Sequence, residues 1–344
     1  MCRRSRAKAS AAKDAARSIA QARSFRRELV LLRIIAFKFL QAVPVILIIS
    51  ILAFLLLSLL PGDPAIIIAG EQASPEAVER VRQQLGLDRP FLQQLAIWLL
   101  NLAQGNFGSS LVLNQSVLSA VGERLPVTLS LTVLSISITI PIGVFLGSLA
   151  AYYRRSWIDA GVMTFALVGV SIPAFWIAIL GIILFSVRLG WVPSSGFAPI
   201  SQGFGAWFSS VILPALILSL FQIGFLARMT RSAMLDVLGQ DFIRTARAKG
   251  LSEWRTVGKH ALRNALILII TATGILVSTA IGGSVVIEQV FALPGIGRMV
   301  VQAILARDYP LVQGTMLIFG FTFVIINLIV DVLYTFADPR VRHD

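Results

Sequence analysis

Few side chains in this sequence could make or break bonds. Two histidines, His260 and His343, lie far apart, and a single cysteine, Cys2, stands at the start. One cysteine gives no internal disulfide, no Cys-based metal site and no redox pair, and two distant imidazoles do not form a ligand set. Serines are plentiful, yet no G-x-S-x-G elbow occurs. The one Gly-Lys pair, Gly258-Lys259, is followed by His260 and lacks the earlier glycine of a phosphate-cradling G-x-x-x-x-G-K-[ST] loop. The sequence therefore predicts no catalytic residue, no metal and no cofactor bound by this chain.

What the sequence offers instead is a basic corner. Residues 228–265 form the only long polar interval between two strongly apolar segments, and they hold eight of the thirty Lys and Arg residues against three acids. Asp241 is placed to cap a short helix from Phe242 to Lys249, Gly250 supplies a left-handed stop, and Leu251 is the apolar residue that commonly follows one. Ser252 then caps a second helix, with Glu253 at the positive end of its dipole. Two helices meeting sharply between apolar segments make a surface that a soluble partner could grip.

Composition sets the class. The chain is 56% hydrophobic and 14% charged, with mean hydropathy +0.82, which a soluble domain of 344 residues could not hide. The net charge of +13 is the footprint of membrane topology and argues against nucleic-acid binding, because the cations cluster beside apolar spans on alternate sides. Six apolar segments, 39–60, 127–151, 161–187, 208–227, 266–287 and 311–336, each approach the ~20 residues needed to cross hydrocarbon. Eleven basic residues precede the first span, two lie in 152–160 and eight in 228–265. The intervening loops are poorer: 61–126 has four cations against six acids. Both termini are expected in the cytoplasm.

The division expected is a basic tail 1–38, a first span 39–60, an external helical loop 61–126, a core 127–337 with five further spans, and a C-terminal tail 338–344. A transit peptide is the alternative reading of 1–38. In the external loop, Pro75 opens a helix stopped by Gly86, and Asp88 and Pro90 open another, with Leu92, Leu95, Leu99 and Leu102 on one face. Asn114 is expected to cap a third, ending before Pro126. Pro44, Pro141, Pro173 and Pro214 predict kinks in the spans. Thr271, Gly274, Ser278 and Gly282 recur at spacings of three and four, giving a small face that could line a substrate pathway or let helices pack closely. Gly143 and Gly147 read in the same way, with a second subunit as the expected contact. Glu288 and Asp331 stand at span ends, so no intramembrane acid chain suggests an ion relay.

The run Asp241-Phe242-Ile243-Arg244-Thr245-Ala246-Arg247-Ala248-Lys249-Gly250-Leu251-Ser252-Glu253, followed by His260-Ala261-Leu262-Arg263-Asn264-Ala265, resembles the cytoplasmic loop of ABC importer permeases. The resemblance is to the dipeptide, oligopeptide and nickel branch. Further matches are Leu60 to Pro64, Gln84 to Asp88, Val286 to Phe291 followed by Pro294 to Gly297, Arg307 to Pro310 and Asp338 to Arg340, which together cover about 39–342. The broader family carries Glu-Ala-Ala where this chain has Arg244, Thr245 and Ala246, a departure typical of the peptide branch. The resemblance implies an all-α inner-membrane permease with six transmembrane helices and no enzyme activity of its own. Residues Asp241 to Leu251 would be its ATPase-coupling segment, with Arg244, Arg247 and Lys249 reaching acidic groups on the partner. It also implies a second homologous permease, two ATP-binding subunits that hold ATP and Mg, and an external substrate-binding protein that docks on the loop 61–126. A secondary transporter or channel acting alone is the alternative, disfavoured by the missing ion relay and the absence of an internal repeat.

Overall fold

The computed structural model describes residues 40–41, 43–55, 64–69, 73–84 and 86–337. The expected tails 1–38 and 338–344, and the ends of the span 39–60, lie outside them. Contacts divide the chain into a unit of residues 1–48 and a unit of residues 49–344. The described part of the first is helical and opens helix α1, Val43–Leu55.

The larger unit is all-helical among the described residues, apart from one isolated bridge between Ser109 and Ser116. Short helices come first: α2 Pro64–Ala69, α3 Pro75–Gln84 and α4 Phe91–Ala103. The expected boundaries hold at α3 and α4, with Gly86 and Gly105 at positive φ after them. Helix α4 buries no residue, and Leu92 stands largely exposed.

The next helix corrects two expectations. Helix α5 runs unbroken from Val117 to Tyr152, so no third loop helix ends before Pro126. Its cap is Ser116, whose hydroxyl accepts the Ser119 N–H, whereas Asn114 sits in a left-handed turn at φ 52. Pro126 and Pro141 both lie inside α5. A proline ring there removes one helical hydrogen bond without ending the helix where the surrounding packing holds it.

The expected span 161–187 is two helices. α6, Trp157–Ser171, and α7, Ala174–Gly181 extended by a wider turn through Arg188, meet at 97°. Pro173 follows Ile172, whose ψ of 129 has left the helical region, as steric clash with a following proline ring demands. Helix α8, Phe204–Leu238, contains Pro214 and is the most buried of the long helices. After the short α9, Asp241–Ala248, the chain turns into α10, Glu253–Arg255, then a wide turn Thr256–Ala261, then α11, Leu262–Val290. Helices α12, Ile296–Leu305, and α13, Tyr309–Ala337, close the order. Among the described residues four helices are long and apolar enough to cross a membrane, or five if the bent α6–α7 pair counts as one.

Helix α8 is the axis of the unit, and small residues let its neighbours approach. A Cβ on Gly143 would come within 2.9 Å of Leu226, and one on Gly147 would fall onto the Ala227 carbonyl and the Thr230 side chain. The Gly143 and Gly147 pair therefore seats α5 on α8 within the chain, not against a second subunit. On the other side, Gly224 admits the backbone of Ala166 from α6. Polar pairs align the contact: the Ser135 and Thr139 hydroxyls both reach Gln222 Oε1, at 3.0 and 2.8 Å.

Candidate functional site

The polar corner folds much as its sequence demands. Helix α9 buries only Ile243 and Ala246, three residues apart and so on one face. Ile243 packs in one cluster with Met234 and Val237 of α8, Ala261 of the wide turn and Ala265 and Ile269 of α11. Asp241, Phe242, Arg244, Thr245, Arg247, Ala248, Lys249 and Gly250 are all exposed, and Leu251 is half-buried. An eight-residue helix is thus held from beneath by two side chains while most of its surface faces outward.

Its end is a closed left-handed stop. Gly250 takes φ +77, its N–H donates to the Arg247 carbonyl at 2.9 Å, and the Leu251 N–H donates back to Ala246 at 3.3 Å. These are the two bonds of a Schellman motif. The beginning differs from expectation. Gln240 holds the cap position and Asp241 is the first helical residue. Ser252 occupies the next cap position but makes no side-chain cap bond; its carbonyl takes the Thr256 N–H instead.

Charges on this surface are partly spoken for. Arg247 grips Glu253 across the corner through two bonds of 2.8 and 3.3 Å, and Arg244 reaches Asp241 one turn back at 3.3 Å. The guanidinium of Arg247, expected to meet a partner, is thereby engaged within the chain. Trp254, 83% exposed, stands beside the pair. Sequence reasoning missed it, although a tryptophan flanked by charges in a polar loop is itself a signal of a contact surface.

The small face of α11 is not one surface in the fold. Thr271 and Gly282 are exposed, Gly274 is buried, and Ser278 keeps a buried hydroxyl without a partner among the described residues. Of the four, Gly274 alone lines a cavity of about 1010 Å³ between α5, α11 and α13. Its walls are apolar, among them Val144, Phe145, Leu266 and Ile270, and it reaches Tyr152 and Trp254 beside the corner.

At the opposite end lies a cluster that the sequence did not reveal. Glu288 is fully buried; its carboxylate accepts the Thr128 hydroxyl at 2.8 Å and the Arg298 N–H at 3.0 Å. Thr128 in turn accepts the Ile296 N–H at 2.9 Å, so α5, α11 and α12 are joined at one point. Nearby, Asp308 caps α13 through the Leu311 N–H and holds Ser110 and Val112 of the preceding loop. Among the described residues no cluster of His, Cys, Asp and Glu could hold a metal ion.

Residues 143–343, which include the corner, match the family described as the binding-protein-dependent transport system inner membrane component. The chain belongs to that family. Residues 31–132 match the N-terminal component of the same transport-system membrane proteins. A Brucella abortus (strain 2308) protein with the provisional name of a peptide transport system permease is 62% identical over 304 residues, covering 88% of this chain and 97% of that one. The glutathione transport system permease protein GsiC of Escherichia coli (strain K12) is 42% identical over 306 residues, covering 89% and 97%. A chain of the MetNI methionine ABC transporter, solved in inward-facing conformations, superposes with TM-score 0.53 at 21% identity, covering 64% of this chain and 97% of that one, which speaks for the fold alone. An inner membrane component of this family is a multi-pass permease subunit of a binding-protein-dependent ABC transporter. It is not an enzyme; ATP hydrolysis belongs to separate subunits.

Proposed function

We propose that this permease imports di- or oligopeptides, or a related solute such as glutathione, by forming a translocation pathway with a second homologous permease. The names carried by its relatives support the cargo class. In this reading two ATP-binding subunits, holding ATP and Mg, sit on the cytoplasmic side, and a substrate-binding protein docks outside. The first span brings the number of crossings to six, with the bent α6–α7 pair counted as one, and both termini face the cytoplasm. The excess of cations in 1–38, 152–160 and 228–265 supports that orientation.

The observation that carries the mechanism is α9. Residues Asp241 to Leu251 form the coupling segment, anchored through Ile243 and Ala246 and presenting Phe242, Arg244, Thr245 and Lys249 to a groove on the ATPase. Closure of the ATPase pair pulls this helix and with it α8, which leads into it, and the wide turn Thr256–Ala261, which packs on it and leads into α11. The rigid corner at Gly250 makes the pull directional. On the pathway, the exposed Thr271 and Gly282 and the cavity-lining Gly274 are the small-face positions open to solute or to the second permease, with Ser278 behind them.

Reconstituted vesicles test this. Uptake of a labelled dipeptide by the complete complex should require ATP and the binding protein, and Gly250→Val should depress uptake while ATP hydrolysis continues. ATP-independent uptake by the isolated chain would contradict it and favour a stand-alone transporter.

A further inference from the structure

One ion pair lies close to the corner without belonging to it. Asp159, in the first turn of α6, is 5% exposed, and Arg231, ten residues before α9, meets it with a two-pronged fork. Arg231 Nε donates to Oδ1 at 2.6 Å and Nη2 to Oδ2 at 2.7 Å. The carboxylate also accepts the Arg155 N–H at 3.0 Å, where Arg155 takes φ 64 to turn the α5–α6 loop. Below the fork, Val162, Ala227 and Ala150 pack together from α6, α8 and α5, and Gly224 receives Ala166. Helices α5, α6 and α8 are thus tied at the end nearest α9. On the other side of the corner, α11 begins with a wide turn, Thr256–Ala261, and borders the cavity. No ion pair among the described residues bridges that side from α11 to α5 or α13.

We infer that Asp159 and Arg231 are positioning residues for coupling: their fork makes α5, α6 and α8 move as one body with α9, so the stroke of the coupling helix enters the chain through α8. A planar guanidinium on a carboxylate fixes direction as well as distance, which a single contact would not do. This inference rests on the coupling role proposed for α9, and it adds the path by which the movement leaves that helix.

The test is a double-mutant cycle on the complete complex in vesicles, with uptake per ATP hydrolysed as the readout. Asp159→Asn and Arg231→Gln should each lower that ratio by at least about fivefold, and the double variant should be no worse than the worse single one. Arg231→Lys, which keeps the charge but not the fork, should fall between wild type and Arg231→Gln. Co-purification of the ATPase should be unchanged throughout. Single variants at the wild-type ratio, or effects that multiply in the double, would overturn the inference. Loss of assembly in Arg231→Lys would also overturn it, because the pair would then only hold the fold. Gly250→Val in the same series separates the two ideas: a wild-type ratio there refutes the coupling role of α9, whatever the Asp159 variants do.

Discussion

The Thr128 hydroxyl donates to the Glu288 carboxylate at 2.8 Å across 160 positions of sequence, and both residues are buried. Around that bond the chain is packed without room to spare. A Cβ on Gly295 would land on the Glu288 carboxylate, and one on Gly297 would meet Val285 at 2.7 Å. Pro294-Gly295-Ile296-Gly297 is therefore small because a buried acid occupies the space that side chains would need.

Removing the acid leaves donors stranded. Glu288→Ala should destabilise the protein by several kcal/mol, since each buried group left unpaired costs about 1–3 kcal/mol. Glu288→Gln keeps an acceptor oxygen and should cost less. Thermal unfolding in detergent should rank wild type above Glu288→Gln above Glu288→Ala; equal melting of wild type and Glu288→Ala would mean that the cluster holds nothing together.

Gly147 tests the axis at α8. Gly147→Leu must push α5 away from the Ala227 carbonyl and Thr230 and should cost about 1–3 kcal/mol or more, as overpacking does. The same change at Gly122, on the same helix but with open space beside it, should be nearly silent. Parallel melting curves of the two variants decide the matter.

At Gly250 no atom of the described residues lies within 4 Å of a would-be Cβ, so a substitution there is opposed by backbone strain. The left-handed conformation costs most residues roughly 1–2 kcal/mol, asparagine less, and β-branched residues most. Uptake per ATP should therefore fall in the order Gly, Asn, Ala, Val. If Val matched Asn, the left-handed stop would not be what the glycine is for.

The Arg247 and Glu253 pair is close to half exposed on both sides, and such pairs contribute about 0–1 kcal/mol to stability. Arg247→Ala should leave the melting temperature almost unchanged. A large loss of ATPase binding in that variant would identify Arg247 as a residue that exchanges Glu253 for a partner's acid in the assembled complex.

The corner was legible in sequence because its signals are local: a glycine that must take positive φ and an apolar residue after it. The apolar spans that became α5, α8, α11 and α13 were legible for the same reason. Pro173 was not, since a proline announces a bend without saying whether neighbouring helices will straighten it, as at Pro126, or let it turn the chain through 97°. Asn114 and Ser116 are both good caps by type, and only the left-handed turn at Asn114 decides between them. Glu288, Asp308 and the Asp159–Arg231 fork were hidden because their partners are far away in sequence. Asp159 and Arg231 nonetheless sit in two loops assigned to the same side by charge, which is the clue that could have paired them.

Whether α9 couples this permease to an ATPase is read out by a detergent pull-down of the tagged chain from its native host. Wild type should bring down an ATPase and a second permease. The double variant Ala246→Glu with Gly250→Val, which forces a carboxylate under α9 and breaks its stop, should lose the ATPase and keep the second permease. Retention of the ATPase by that variant, or its absence from the wild-type sample in several mild detergents, would contradict the account.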